Sequence, residues 1–548
     1  MHDVLIVGGE VLDGTGAEAV RADVAVKDGR IVAVGDLAGE KAERVLDAGG
    51  RTVAPGFIDT HSHDDFNLPV NPLVPGKILQ GVTTQVTGNC GWSPAPILPD
   101  HRKAFVDNAT FLDSGLDYDW DTMGEFLEKM PPLAVNLAQL VGHVTVRCAA
   151  MGVENRPPSE DEMETMRALV AQAMEQGAFG FSTGLVYPPS AYGQLDEIAE
   201  LARVAAGFGG AYHTHMRNEG DRIMDSVREA AEIGRRSGAR VQISHLKVSG
   251  KPFWGKAQEL LTLIDDLREG GVYIHCDQYP YPAGSSGLKS LLPNWAHDGG
   301  PDALIDRLSH PEKRDQIRAE MLEGMSEAGY MKIAQWTDVM IADSPSHPAY
   351  NGFSLQEIGD KDAKLPVDAM LDLLLADLAK TLAIFFTIGV EDMETILRHP
   401  NISIGSDGII TTPAGVEDHT KPHPRYFGTF PRVLGKFARE DGLLSLPDAV
   451  RKMTGLPAGA LGLTDRGRIA PGLAADLVVF DPATVRDRAT FRDPHLSPVG
   501  IDEVLVNGIQ VAAGGRMTGA APGVVLKAIG LNGNVEFDHS LSLDLLKR

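Results

Sequence analysis

Cysteine is nearly missing from this chain. Its 548 residues include three, Cys90, Cys148 and Cys276. An odd set of three makes no disulfide framework, and a reducing cytoplasm is the expected setting. Basic residues are also in short supply: 50 Lys and Arg stand against 75 Asp and Glu, a net charge of −25. Such a surface repels phosphate backbones and argues against nucleic-acid binding, although a local basic patch can still sit in an acidic protein. No basic segment precedes the short apolar run Val4-Leu-Ile-Val7, so no signal peptide is expected. No uninterrupted apolar stretch is long enough to cross a membrane. Low-complexity tracts are lacking too; the 60 glycines and 34 prolines are spread along the chain, as many tight strand–helix turns require. What is present is bulk. With 43% hydrophobic residues, the chain can bury a large core, as a barrel with an accessory domain or as two or three separate domains. The expected partner is a small molecule.

Residues 1–54 read as short strands separated by Gly and Asp turns, with Lys27-Asp-Gly-Arg30 as a tight hairpin. From residue 55 strands and helices alternate. Predicted strands end at His61/His63, Cys90, His143, Gly184, His215, His245, Asp277 and Asp407. Ser159 and Glu162 form a capping box that opens a helix running to Gln176. Residues 194–208, 219–237 and 257–269 carry helical apolar spacing. Eight strands alternating with helices predict a (β/α)8 TIM barrel over 55–465. The interval 278–401 is too long for a plain loop and is expected to hold extra helices or a lid. A further helix is predicted over 445–461. Short strands then return in Gly467–Asp481 and Val504–Val511, so residues 1–54 and 466–516 are expected to pair into a small β-sandwich. The segment 517–548 has no assigned place.

The chemistry concentrates at strand ends. In Val53-Ala-Pro-Gly-Phe-Ile-Asp-Thr-His61-Ser-His63 a β-prone run stops at two histidines one residue apart. Alternation in a strand points His61 and His63 the same way, and two adjacent imidazoles can share one metal ion. Asp64 and Asp65 follow and make the place attractive to cations. Cys90, His215, His245 and Asp407 also end predicted strands, the face at which parallel barrels build their sites. Six ligand-type residues on five strand ends would therefore converge. His143 ends a strand as well, with a structural role expected. Cys148 and Cys276 read as packing residues. His213 lies one layer below His215, and His275 faces away or sits deeper.

Several segments carry a resemblance: Pro-Gly-Phe-Ile-Asp-Thr-His-Ser-His63, Gly-Asn-Cys90-Gly, Phe-Ser-Thr-Gly-Leu-Val-Tyr187-Pro-Pro, Thr-His215-Met-Arg-Asn-Glu, Ser-His245-Leu-Lys247, Asp-Gln-Tyr279-Pro-Tyr, Gly-Ser-Asp407-Gly and His423-Pro-Arg425-Tyr-Phe-Gly. Together they resemble the amidohydrolase superfamily, and within it the N-acyl-D-amino-acid deacylases, from residue 1 to about 515. Many superfamily members carry a bridging lysine on the fourth strand. Gly180-Phe-Ser-Thr-Gly184 has none, and the resemblance implies that Cys90 supplies the ligand instead. This weakens a hydantoinase-like reading.

A thiolate with two imidazoles, from Cys90, His215 and His245, suits tightly bound Zn2+ with an open position. The resemblance implies a second, weaker site at His61, His63 and Asp407. Asp407 is the expected general base and then acid. Tyr187 resembles the family tyrosine that donates to the carbonyl oxygen. Arg425 offers a fork for a substrate carboxylate, with Lys247 and Tyr279 as further donors. Val186 is a candidate pocket wall that would favour an apolar side chain. The expected reaction is zinc-dependent hydrolysis of an N-acyl-D-amino acid, the D preference coming from the resemblance alone. A dipeptidase, a cyclic-amide hydrolase and a non-catalytic barrel scaffold are the alternatives.

Overall fold

The computed structural model describes residues 1–109, 112, 115–323, 333–409 and 419–528. Eight parallel strands form its centre: β1 (Phe57–Asp59), β2 (Val82–Thr87), β3 (Asn136–Gly142), β4 (Gly180–Gly184), β5 (Ala211–His215), β6 (Val241–Ile243), β7 (Ile274–Gln278) and β8 (Ile402–Ile404). Each pairs with its neighbours in chain order, β1 through β8. A parallel bridge between Ser62 and Gly408 brings the ends of β1 and β8 together and closes the ring. These strands are buried along their whole length, as expected of a parallel sheet covered by helices.

The helices form where local signals ask for them. Glu162 N–H donates to Ser159 Oγ at 3.3 Å and Ser159 N–H to Glu162 Oε2 at 2.7 Å, which starts the helix Glu160–Gln176. The helix predicted over 445–461 is two helices, Leu446–Met453 and Gly455–Leu461. Thr454 breaks them, with φ −137° and ψ −88°. A continuous helix would need an N–H from residue 457 to the carbonyl of Met453, and residue 457 is proline.

Both chain ends build one nine-stranded sheet beside the barrel. Thr52–Pro55, just before β1, pairs antiparallel with Leu477–Phe480 and joins the two ends. The expected hairpin is present: Val20–Lys27 pairs with Arg30–Gly35 through Asp28 and Gly29 at φ 50° and 73°. A bulge in His2–Val11 between Ile6 and Gly9 lets that strand bend. Beyond it, Val525–Leu526 pairs in parallel with β3 at Leu137 and Ala138. Residues 529–548 of the predicted tail lie outside the described residues.

The interval between β7 and β8 has structure of its own. Gly284–Gly287, Leu382–Phe385 and Val339–Asp343 form a three-stranded antiparallel sheet. Helices 300–309, 311–323, 355–362 and 366–376 pack with it around a separate apolar core that includes Leu304, Ile317, Leu373 and Phe385. Among the described residues, no helix is long and apolar enough to span a membrane.

Candidate metal centre

His61 and His63 follow β1, and their rings meet edge to face at 5.3 Å. Cys90 follows β2 in a turn that brings its sulfur to the same point. Cys90 Sγ is 3.3 Å from His61 Nε2, 3.6 Å from His245 Nε2 and 3.7 Å from His215 Nδ1. Asp407, after β8, places Oδ1 3.2 Å from His63 Nε2 and 3.4 Å from His61 Nε2. All six are buried. His61, Cys90 and His245 could hold one cation, and His61, His63 and Asp407 another. The two expected donor sets are therefore joined: His61 touches both, because two adjacent strand ends deliver Cys90 and His61 to one spot. His215 stays beside Cys90 and also reaches Glu219, with Nε2 3.6 Å from Glu219 Oε2.

Backbone conformation marks the same residues. Cys90, His245 and Asp407 have φ of 54°, 39° and 47°. Residues with a side chain seldom adopt that region, and where they do the surroundings must enforce it. Here Asp407 N–H donates to His61 O at 2.8 Å, and His245 N–H donates to Asp277 Oδ1 at 2.8 Å. Around Cys90 the fit is steric. A Cβ on Gly184 of β4 would stand 2.1 Å from Cys90 O, so the loop bearing the thiol lies directly on the fourth strand's backbone.

The substrate-type residues Tyr187, Lys247, Tyr279 and Arg425 line the same cavity. Arg425 Nη2 is 2.9 Å from Asp407 Oδ2, and its guanidinium stacks 4.5 Å from the Tyr279 ring centre. Among the described residues, its buried Nε and Nη1 have no hydrogen-bond partner. Lys247 Nζ donates to Glu219 Oε1 at 2.5 Å and lies 2.9 Å from His245 Nδ1. The Tyr187 ring meets His215 edge to face at 5.2 Å.

Family comparisons agree with this geometry. The amidohydrolase family model matches residues 44–243 and 370–512. An N-acyl-D-glutamate deacylase of Alcaligenes xylosoxydans xylosoxydans is 41% identical over 510 residues, 93% of each chain. The chain belongs to the amidohydrolase family, on its N-acyl-D-amino-acid deacylase branch. A solved D-aminoacylase, described for its binuclear metal centre with one-metal activation and second-metal attenuation, is 38% identical; the match covers 96% of this chain and all of that one, with a TM-score of 0.80. An N-acyl-D-glutamate deacylase from Bordetella bronchiseptica, solved with zinc and a phosphonate inhibitor, is 37% identical over the same shares, with a TM-score of 0.79.

In this amidohydrolase the electrostatics follow from burial opposed by close partners. Burial alone would keep the Cys90 thiol protonated, but the charge of His61 and hydrogen bonds from His215, His245 and His61 hold it well below the ordinary thiol range. Burial likewise opposes ionisation of Asp407; the charges of Arg425 and His61 outweigh it and keep the carboxyl well below its usual range. Glu219 is buried too, and Lys247, then His215 and His245, keep it ionised.

Some residues that support the site had no expected role. Lys77 Nζ, fully buried, donates to Asp59 Oδ2 at 2.6 Å and Ser406 Oγ at 2.5 Å, tying the turn before Asp407 to β1. Glu219 bridges His215, His245 and Lys247, and Asp277 holds the His245 backbone; Asp277 ends a strand like the other site residues, a signal that could have found it. Asp64 and Asp65 turn from the cavity, Asp64 toward Lys77 at 3.7 Å and Asp65 to Gln139 at 3.0 Å. His143 sits between Ser190 Oγ at 2.7 Å and Glu197 Oε1 at 2.8 Å. Cys148 and Cys276 pack in the apolar core, His213 is buried below His215, and His275 lies 3.1 Å from Ser403 Oγ.

Proposed function

We propose that this protein hydrolyses the amide bond of N-acyl-D-amino acids to a carboxylate and a free D-amino acid, with zinc held by Cys90, His61, His245 and His215 and a second, weaker position at His61, His63 and Asp407. One observation carries the reading. A buried thiolate ringed by imidazoles shares its cavity with an arginine that keeps two nitrogens unpartnered among the described residues. The donor set fits zinc, which takes thiolate sulfur and imidazole nitrogen. When bound, zinc supplies a Lewis acid that polarises the amide carbonyl and lowers the pKa of water.

The chain's own residues do the rest. Arg425 donates to the substrate's α-carboxylate from Nη1, which has no partner among the described residues, while Nη2 stays on Asp407. Tyr279, stacked under the guanidinium, fixes its plane. Asp407 is divided between two tasks: Oδ2 stays on Arg425, and Oδ1 points at the histidines. Oδ1 accepts a proton as the water oxygen bonds to the carbonyl carbon. It returns that proton to the amide nitrogen as the C–N bond breaks. Tyr187 donates to the developing negative charge on the carbonyl oxygen. Glu219 and Lys247 orient His215 and His245 from behind.

Zinc-loaded protein offered N-acetyl-D- and N-acetyl-L-leucine, glutamate and aspartate should release free amine from the D series. No release from any D substrate, or faster release from the L series, would overturn the reading. Faster cleavage of dipeptides than of N-acetyl substrates would make it a dipeptidase.

A further inference from the structure

His423 stands in the segment His423-Pro-Arg425, and the reaction above gives it no part. It lies two residues before the helix Arg425–Arg432 and is fully buried. The first N–H groups of a helix have no carbonyl one turn back to meet them. Here the Arg425 N–H donates to His423 Nδ1 at 3.0 Å. The other ring nitrogen, Nε2, lies 2.9 Å from the Ala283 carbonyl oxygen. His423 therefore ties the start of the arginine's helix to the segment that follows β7.

These two contacts leave the ring one form. A backbone N–H only donates, so Nδ1 must accept; a carbonyl only accepts, so Nε2 must carry the proton. A second proton, on Nδ1, would face the Arg425 N–H. Burial, then the charge of Arg425, holds the imidazole well below its ordinary range, in keeping with the neutral form. Aromatic rings pack the imidazole on two sides, Tyr281 edge to face at 5.2 Å and Phe491 at 5.1 Å. Ala283 belongs to the same short stretch as Tyr279, whose ring lies 4.5 Å beneath the Arg425 guanidinium. One imidazole thus relates the backbone of Arg425 to the stretch that carries the surface under its side chain.

We propose that His423 is a positioning residue for the carboxylate clamp: its ring, protonated at Nε2 alone, sets the backbone of Arg425 and through it the guanidinium over Tyr279. His423 does not line the metal cavity, so it acts through Arg425 and not on the substrate. A clamp works only while its surroundings hold its orientation. The proposal rests on the reading above, in which Arg425 takes the α-carboxylate.

Two variants separate the two ring nitrogens. His423→Asn places an amide oxygen near the position of Nδ1, where it still accepts from Arg425, and gives up the reach to Ala283. His423→Gln places an amide nitrogen near the position of Nε2 and keeps Ala283 but not the acceptor. Each is zinc-loaded and assayed on the best-cleaved of N-acetyl-D-leucine, -glutamate and -aspartate, and on its α-methyl ester. His423→Gln should raise KM for the acid about tenfold, the size of one hydrogen bond, with kcat within about threefold and KM for the ester within about twofold. His423→Asn should stay within about twofold of the wild type on both. Equal losses on acid and ester, an unchanged preference for the acid in His423→Gln, or the same loss in both variants would overturn the proposal with the deacylase reading intact. Should His423→Gln not fold, His423→Asn decides alone: a wild-type KM upholds the proposal and a tenfold rise removes it. Should the wild type cleave none of the three acids, the deacylase reading falls. Calorimetric binding of the same acids then decides separately: affinity about tenfold weaker in His423→Gln than in His423→Asn upholds the positioning role, and equal affinity, or no binding by the wild type, removes it.

Discussion

Two groups of buried charges in this barrel differ in how fully they are satisfied. His143, Arg147 and Glu197 form one. Arg147 Nη1 donates to both Glu197 oxygens at 2.7 and 2.9 Å, its Nη2 reaches the carbonyls of Arg156 and Glu154, and both His143 nitrogens have partners. Among the described residues, Arg147 Nε is the one polar side-chain atom of this group without a partner. The other group is the barrel mouth, where, among the described residues, Arg425 Nε and Nη1 and His63 Nδ1 have no partner. Buried polar atoms without hydrogen bonds are costly. A fold retains them where something outside the chain completes the set. The first group is nearly complete in itself, as a structural cluster needs to be, whereas the mouth leaves donors open for the substrate of the proposed reaction.

Replacing Cys90 should have the largest consequence. Cys90→Ala removes the sulfur around which three imidazoles are arranged, so bound zinc and activity should fall together to background. Elemental analysis of protein purified without added metal checks this; full zinc content in the variant would take Cys90 out of the ligand set. Asp407→Asn comes next. It should keep zinc yet lower kcat about 10²- to 10⁴-fold, the range for a lost acid–base group. Normal turnover in that variant would remove the proton-transfer role. Arg425→Ala is smaller and more selective: kcat/KM should fall about 10- to 100-fold for free-carboxylate substrates and much less for their methyl esters. Equal losses on acids and esters would mean that Arg425 acts only by holding Asp407.

The convergence at the mouth was legible because it depends on strand periodicity. His61 and His63 share a side, and Cys90, His215, His245 and Asp407 each close a β-prone run, so a parallel barrel must bring them together. The satisfied group was not legible. Arg147 and Glu197 are 50 residues apart, on different helices, and nothing local announces the pair. Positive φ at Cys90, His245 and Asp407 was hidden for a related reason: tertiary contacts impose it, through carbonyls and carboxylates far along the chain. The joining of the two donor sets through His61 depends on contacts of 3.3 and 3.4 Å to Cys90 and Asp407, which spacing cannot give. The interior of 278–401 alternates too little for its three-stranded sheet to be read.

The smallest expected effect on turnover belongs to the satisfied group, and there the change should appear in stability instead. Burial opposes ionisation of Glu197, but hydrogen bonding and charge from His143 and Arg147 outweigh it and bring the carboxyl from an ordinary 4.5 down to about 2. The folded value lies below the unfolded one. The stabilisation is therefore complete above the unfolded value and is lost as pH falls from about 4.5 toward 2. A difference of about 2.5 units corresponds to about 3 kcal/mol. Glu197→Gln should lower stability by about that much at pH 7, where Arg147 would be left buried without its counter-charge. It should also flatten the acid limb between pH 4.5 and 2, read by denaturant titration at a series of pH values. Turnover per folded, zinc-loaded molecule should stay within about twofold, since no atom of this group reaches the cavity. A tenfold loss of kcat with zinc retained would show that the two groups are coupled, and the distinction between satisfied and unsatisfied charge would no longer separate structure from function here.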